Sequence, residues 1–313
     1  METATTKYDI PKYIAKIKMS AKKRILVEGP DDRAHIKNLL SVLLDKHNVK
    51  IDVAQNIKGN CKLTAKNCKA RIEKIYNTCK LQNQYSNLYF LCDREFYKFE
   101  IGDNILDLML THENEGNLNW TLGHSLENYF LDPKIVCDAY RFLSGSEFKN
   151  QAVNLFEDIM PSAIKIIAAL TLAAKDINKS SYPIGMVDWS DFEIKGNELI
   201  LDVNNWKSEN DTLLLKDLKN RYSYYLPIVD LADELTCARL SRGHTAIALL
   251  QRAFAKCISH CGEPIDSALA IRDANAFSKL KEISVSNALC EAWLRTINNG
   301  NENYPKNLIE SVA

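Results

Sequence analysis

The sequence predicts an α/β protein whose parallel sheet is flanked by helices and followed by a helix-rich C-terminal part. Short apolar runs in the first part of the chain alternate with amphipathic segments of helical length, a pattern typical of βαβ units. After about residue 146, apolar residues recur at helical spacing over long stretches. The chain has 313 residues, 46% of them apolar and 26% charged, so it can bury a core and is neither disordered nor collagen-like.

Short runs that are mostly apolar are predicted to form the strands of the parallel sheet. They cover residues 24–27, 51–54, 88–92 and 120–122, and in the second of them Ile51 and Val53 alternate with Asp52 and Ala54. Runs without polar alternation indicate strands that are buried on both faces. The helices between them would therefore cover the two faces of the sheet, as in Rossmann-like folds.

Two helices are predicted between these strands, over residues 34–44 and about 65–81. The second is basic, with Ile72 and Ile75 turned inward. Its outward cations are predicted to be Lys66, Lys69, Arg71 and Lys74. Such a row of cations can follow a nucleic-acid backbone, or it can simply be the solvated face of an amphipathic helix.

The C-terminal part is predicted to be mainly helical. One helix covers about residues 148–177 and is expected to restart at Pro161. A β-hairpin over residues 192–201 turns at Gly196-Asn197, and Ser208 caps a helix that runs to about Tyr225. Two domains follow from this pattern: a sheet-containing core with an N-terminal extension over residues 1–145, and a helical domain for dimerisation or partner docking over residues 146–313.

Charge is distributed unevenly although the formal net charge is zero. Residues 1–80 carry 18 Lys and Arg against 8 Asp and Glu, and residues 81–313 carry 22 against 32. Such asymmetry suggests a surface for a polyanion on the first part and an acidic site or partner surface on the second. Two solvated faces that merely differ in charge are the alternative.

The sequence predicts a cytoplasmic protein without a membrane partner. Its first ten residues are polar and contain no apolar signal-peptide core, and its longest apolar stretch, residues 164–174, is far too short to span a bilayer. Nine cysteines are scattered without a CxxC pair, so reduced thiols are expected.

Three carboxylates stand at the predicted ends of strands. Glu28 follows the first strand, and Asp93 and Glu95 follow the third. The carboxyl ends of parallel strands open onto one ligand crevice, and residues two apart near a strand end point to the same side. Carboxylates so placed repel one another unless a cation lies between them, and hard oxygen ligands suit Mg²⁺. A turn-capping glutamate and a solvated loop are the alternative.

The strings Val27-Glu28-Gly29 and Asp93-Arg94-Glu95 resemble the TOPRIM family over about residues 22–132. That family carries Glu-Gly on its first strand and Asp-x-Asp on its third, and forms the metal-dependent core of topoisomerases, bacterial primases and OLD-type nucleases. Glu95 departs from the family's usual Asp, which keeps the carboxylate and changes its reach. With residues 24–32, 92–96 and 124–131 and Arg242-Gly243-His244, the chain resembles a subfamily that includes stand-alone nuclease effectors of prokaryotic anti-phage defence.

The resemblance implies a toxic effector that hydrolyses phosphodiester bonds with one or two Mg²⁺ ions, for which Mn²⁺ can substitute. Glu28, Asp93 and Glu95 would be the catalytic metal ligands, with Glu127 as a further ligand or as a hydrogen-bond acceptor at a helix start. The implied substrate is host tRNA, and an ABC-type ATPase would hold the effector inactive. A phage anti-restriction protein would be the indirect trigger, and the free effector would be a homodimer.

Further residues could contact nucleic acid. Arg94 could clamp a phosphate or pair with a neighbouring acid. Arg242 and His244 could reach RNA, although a helix junction with Gly243 as a cap is the favoured alternative. A catalytically inert TOPRIM subunit that regulates its ATPase partner is the competing function, and Glu95 is its best sequence support. Topoisomerase or primase activity is disfavoured because the chain has neither a zinc ribbon nor room for a strand-passage domain.

Overall fold

A computed structural model describes residues 8–44, 48–204, 206 and 212–313 of the chain. The chain is an α/β protein and divides into two compact units. The first, here called the sheet unit, comprises Met1–Arg94, Met109–Leu126 and Ile297–Ala313. The second, here called the helical unit, comprises Glu95–Leu108 and Glu127–Thr296.

The strands are short and the helices vary widely in length. The strands are β1 (Tyr8–Asp9), β2 (Arg24–Val27), β3 (Lys50–Val53), β4 (Ile57–Lys58), β5 (Leu88–Cys92), β6 (Phe99–Ile101), β7 (Ile105–Asp107), β8 (Asn114–Glu115), β9 (Leu118–Trp120), β10 (Phe192–Lys195) and β11 (Glu198–Leu201). The helices are α1 (Ile10–Lys18), α2 (Pro30–Leu43), α3 (Lys62–Lys66), α4 (Cys68–Cys79), α5 (Pro133–Leu143), α6 (Lys149–Asp176), α7 (Tyr182–Met186), α8 (Thr212–Asp230), α9 (Glu234–Leu240), α10 (Gly243–Ser278), α11 (Glu282–Asn298) and α12 (Lys306–Val312).

The main sheet of the sheet unit has the strand order β3-β2-β5-β9-β8 among the described residues. The first four strands are parallel to one another, and β8 is antiparallel to β9. The predicted parallel sheet is therefore confirmed, as are its strands over residues 24–27 and 88–92. The last predicted strand, over residues 120–122, lies two residues earlier, because Leu118 to Trp120 form the pairs with β5. The two-residue strand β8 is too short to leave an apolar run in the sequence.

The turn between β2 and α2 determines the position of Glu28 and Gly29, the residues that follow this strand. All four residues of β2 are buried, which fits its position between β3 and β5. Pro30 is the first residue of α2, where a proline costs no hydrogen bond, so the helix begins four residues before the predicted start at residue 34. The carboxylate of Asp32 accepts the backbone N–H of Gly29 at 2.7 Å and closes this first turn.

The predicted basic helix is two helices, α3 and α4, separated at Asn67. The Asn67 side chain accepts the N–H of Ala70 at 2.8 Å, so Asn67 caps α4 and divides the segment. Ile72 and Ile75 are buried, as predicted, and join the core beneath the sheet. The N-terminal extension covers this core too, because β1 pairs with β4 and Ile10, Tyr13 and Ile17 of α1 are buried there.

The helical unit is built around α6, which packs against α5, α8, α9 and α10. The prediction that Pro161 restarts this helix is wrong, because α6 is continuous from Lys149 to Asp176. The predicted hairpin is confirmed: β10 and β11 are antiparallel and Gly196 takes the left-handed φ of 59° that the turn requires. The predicted cap Ser208 lies outside the described residues, and α8 extends past Tyr225 to Asp230.

The two units divide the chain differently from the boundary predicted at residues 145 and 146. Helix α5 lies with the helical unit because it packs against α6, and α12 lies with the sheet unit because it packs against β5. All nine cysteines are free thiols. Throughout the described ranges, every helix is too short or too polar to cross a membrane.

Candidate functional site

Glu28 is the residue that follows β2, and its side chain reaches the end of the neighbouring strand. Its Oε1 accepts the backbone N–H of Asp93 at 3.1 Å, and Asp93 is the residue that follows β5. Both residues are half-buried. The structure thus brings together two of the predicted site carboxylates at the carboxyl edge of the parallel sheet, as the topology of β2 and β5 requires.

The chain after β5 is also held from the side of β9. The backbone N–H of Arg94 donates to Oγ1 of Thr121 at 3.0 Å, and the Thr121 hydroxyl donates to the carbonyl of Gly123 at 2.8 Å. The backbone N–H of Thr121 donates in turn to the carbonyl of Cys92 at 3.0 Å. Thr121 is therefore a positioning residue that was not predicted. Its only sequence signal is a hydroxyl at the end of the fourth strand.

Lys69 points toward the same edge of the sheet. Its ammonium donates to the carbonyl of Arg94 at 3.2 Å, one residue after Asp93. Burial raises the pKa of the Cys92 thiol well above its usual value. Glu28, Glu73 and Asp93 raise that pKa further, and the positive charge of Lys69 lowers it. The ammonium of Lys69 and three carboxylates thus act electrostatically on the same thiol at the end of β5.

Asp32 is a further carboxylate in this region. Burial raises the pKa of the Cys68 thiol; Arg71 then lowers it, and Glu28 and Asp32 raise it further. The Asp32 carboxylate also accepts the backbone N–H of Gly29, the residue at the N-terminal cap of α2. Asp32 and Glu28 both raise the pKa of the Cys68 thiol because the fold brings the end of β2 close to α4. No sequence motif indicates this proximity.

The donor chemistry of Glu28 and Asp93 fits Mg²⁺. Both offer hard carboxylate oxygens, and both are only half-buried. Among the described residues, no three His, Cys, Asp or Glu side chains are grouped so that they could hold a metal ion by themselves. Magnesium is often bound by one or two carboxylates plus water and substrate phosphate oxygens, so a pair of carboxylates is a sufficient protein contribution.

Glu95 and Glu127, the other predicted ligands, belong to the helical unit. Glu95 is exposed and has a left-handed φ of 53°. Glu127 is buried in the 3₁₀ turn Leu126–Phe130, and its Oε1 lies 3.6 Å from Nε2 of His244. One contact of Glu127 is thus with a histidine of its own unit.

Two of the predicted nucleic-acid contacts are buried instead. Arg71 donates to the carbonyls of Ala54, Thr64 and Ala65, so its guanidinium ties α4 to the preceding segment. Arg94 is fully buried, and its Nη1 donates to the carbonyl of Leu122 at 2.7 Å. The prediction that these two arginines contact nucleic acid is corrected, because neither side chain reaches the surface.

Lys66 and Lys74 are exposed, as predicted, whereas Lys69 is half-buried at the edge of the sheet. The outward cations of the predicted basic helix thus fall into three groups: Lys66 and Lys74 at the surface, Lys69 near Asp93, and Arg71 in the interior. Of these four cations, only Lys66 and Lys74 are exposed enough to contact the phosphates of a nucleic acid.

Arg242 and His244 stand at a helix junction in the helical unit. Helix α10 begins at Gly243, so Arg242 occupies its cap position, and the Arg242 N–H donates to Oγ1 of Thr171 at 3.1 Å. His244 Nδ1 lies 2.5 Å from Oε1 of Glu282. Burial lowers the pKa of His244, but Glu127 and Glu282 outweigh this, so the pKa is raised. The geometry matches the helix-junction alternative, although Gly243 starts the second helix and does not cap the first.

Neither the models of known protein families nor the curated proteins give a match to this chain.

Proposed function

We propose that the chain is a Mg²⁺-dependent TOPRIM nuclease. The observation that carries this proposal is the hydrogen bond from the backbone N–H of Asp93 to the Glu28 carboxylate, which links two acidic residues at the carboxyl ends of neighbouring parallel strands. Sequence resemblance adds Glu95, two residues after Asp93, as the third ligand. Bound Mg²⁺, or Mn²⁺ in its place, would offset charge on the phosphoryl oxygens and favour ionisation of the attacking water.

The residues of the chain have distinct roles in this proposal. Glu28 and Asp93 bind the cation, and Glu28 can also accept a proton near it. Thr121 and Glu28 fix the backbone on both sides of Asp93 and so hold its carboxylate in place. Lys69 brings a positive charge to the same strand end, where it can attract a phosphate group of the substrate.

The substrate and partners follow from the resemblance of four strings to AriB, the TOPRIM subunit of the PARIS anti-phage system. We infer a toxic effector that cleaves host tRNA after release from the ABC-type ATPase AriA and acts as a homodimer when free. A phage anti-restriction protein would be the indirect trigger. The exposed Lys66 and Lys74 are consistent with a polyanionic substrate, for which we expect salt-dependent binding.

Cleavage of purified tRNA by the full-length protein tests the metal site. The wild type should cleave with Mg²⁺ and stop when EDTA is added. Glu28→Gln and Asp93→Asn should each lower the cleavage rate by more than about 100-fold, which is a larger loss than is typical of residues that contact a metal ligand but not the metal. Asp31→Asn, which neutralises an exposed acid of the same unit, is the control and should retain its rate. Undiminished cleavage by Glu28→Gln would refute the site.

An inert binding subunit is the second candidate function. Two observations favour it: Glu95 replaces the family's usual Asp, and no group of three metal-ligating side chains occurs in the described ranges. Such a protein would cleave neither RNA nor DNA with Mg²⁺ or Mn²⁺, yet it would still alter the ATP hydrolysis rate of its ATPase partner. Cleavage that depends on Asp93 would exclude this function.

A further inference from the structure

A groove in the helical unit is lined by parts of four elements that belong to this unit alone. It lies between the middle of α6, the hairpin strand β11, the end of α8 and the start of α9, and it has a volume of about 1050 Å³. The floor includes the buried Tyr222, and the rim includes the exposed Ile200 and Leu235. We call it the acidic groove, for the charges that surround it.

Carboxylates dominate the charge of the acidic groove. Its acids are Asp158, Glu198, Asp230, Asp233 and Glu234. Lys165, the one cation among the described residues that line it, is already engaged, because its ammonium donates to the carbonyl of Asp230 at 3.1 Å and lies 3.8 Å from the Asp230 carboxylate. The groove is therefore strongly negative, and a phosphate-bearing ligand such as RNA would be repelled from it.

Three of these carboxylates form no ion pair within the described part of the chain. Asp158, Glu198 and Glu234 make no salt bridge with any described residue. Asp233 caps α9, and the hydrogen bonds that it accepts from Thr236 lower its pKa, so it stays ionised at neutral pH. Negative charge around the groove is thus available to an external cationic partner.

Apolar surface accompanies the charge. Leu235 is 59% exposed and Ile200 is 38% exposed, and both line the groove. Exposed large apolar side chains grouped in a concave surface mark sites for partner binding, whereas isolated ones carry no such meaning. A partner that fits must therefore offer both apolar side chains and positive charge.

We propose that the acidic groove binds a basic amphipathic segment of a protein partner. Apolar side chains of that segment would contact Ile200, Leu235 and Tyr222, and its Lys or Arg side chains would pair with the carboxylates around them. The groove lies in the helical unit, so this binding does not depend on metal binding or catalysis by Glu28 and Asp93.

Fluorescence anisotropy of a labelled peptide tests the charge of the groove. The probe is a synthetic peptide of Lys and Leu at helical spacing, and the comparison peptide has Glu in place of Lys. The full-length protein should bind the first and not the second. A triple variant with Asp158→Lys, Glu198→Lys and Glu234→Lys should lose roughly tenfold or more in affinity.

A matched triple variant controls for net charge. Glu147→Lys, Glu263→Lys and Glu291→Lys change the same charge at exposed positions of the same unit outside the groove, and should leave the affinity nearly unchanged. Equal losses in the two triple variants would overturn the proposal, as would absence of Lys-Leu peptide binding to the wild type or equal binding of the Glu-Leu peptide.

Apolar contacts are tested separately. Ile200→Asn with Leu235→Asn should weaken binding of the Lys-Leu peptide, whereas Ile271→Asn with Ile283→Asn, at comparably exposed positions outside the groove, should not. Circular dichroism of each variant confirms that the helices are retained. Equal effects of the two pairs would overturn the proposed groove contact. The proposal would also be overturned if single-stranded RNA displaced the peptide from the wild type and the groove variants abolished that displacement.

Discussion

The backbone N–H of Asp93 donates to Oε1 of Glu28 across 3.1 Å, so the side chain after β2 fixes the backbone after β5. This hydrogen bond links the ends of two parallel strands whose residues pair from Arg24 and Leu88 onward. It gives Glu28 a structural task besides any role in metal binding, and the two roles can be separated by experiment.

Substitutions at Glu28 should separate hydrogen bonding from charge. Glu28→Gln keeps an oxygen acceptor for the Asp93 N–H, so its free energy of unfolding should stay close to that of the wild type. Glu28→Leu removes the acceptor and should cost about 1–3 kcal/mol, the usual cost of leaving a partly buried donor unsatisfied. Urea denaturation measures both. A Gln variant as unstable as the Leu variant would show that charge, and not the hydrogen bond, stabilises this edge.

Removing the charge of Lys69 should have opposite effects on metal and substrate. Lys69→Met keeps the aliphatic stem but removes a positive charge that acts near Glu28 and Asp93. Less repulsion should strengthen Mg²⁺ binding by roughly threefold or more, measured by calorimetry, while tRNA cleavage should fall because phosphate attraction is lost. Lys66→Met, at an exposed position, is the control. Weaker Mg²⁺ binding by Lys69→Met would contradict this electrostatic role.

Arg71 should be important for stability. Its guanidinium donates to three backbone carbonyls, so Arg71→Met would leave these buried acceptors without their donor and cost about 2–4 kcal/mol. Lys74→Met, one turn along α4 on the exposed face, should cost less than about 0.5 kcal/mol. The urea midpoints of the two variants provide the comparison, and similar midpoints would argue against a structural role for Arg71.

Protonation of His244 should stabilise the folded chain. Its folded pKa is raised above 6.5, so the folded state binds the proton more tightly than the unfolded state does. The resulting stability is fully present below pH 6.5 and is lost as the pH rises through the folded pKa. An NMR titration of the ring should give a pKa above 6.5, and Glu282→Gln should lower it. A His244→Gln variant with the same pH dependence of stability as the wild type would contradict this account.

Several features of the fold could be predicted from residues that are close together in the sequence. The apolar runs of β2 and β5, the Gly196 turn and the positions of Glu28 and Asp93 after their strands depend on neighbours a few residues away. Pro161 shows the limit of such reasoning: proline disfavours a helix interior, yet packing of α6 against α8 and α10 keeps the helix continuous.

The parallel sheet and the positions of Glu28 and Asp93 after its strands could be predicted from residue order, because apolar strand patterns and a parallel topology bring those strand ends to one edge. Which cations face outward, in contrast, depends on contacts between distant parts of the chain. Arg71 bonds a carbonyl 17 residues away and Arg94 one 28 residues away, and Lys69 turns toward the carbonyl of Arg94. Burial of a cation is determined by long-range acceptors such as these, and helical spacing along a single segment carries no information about them.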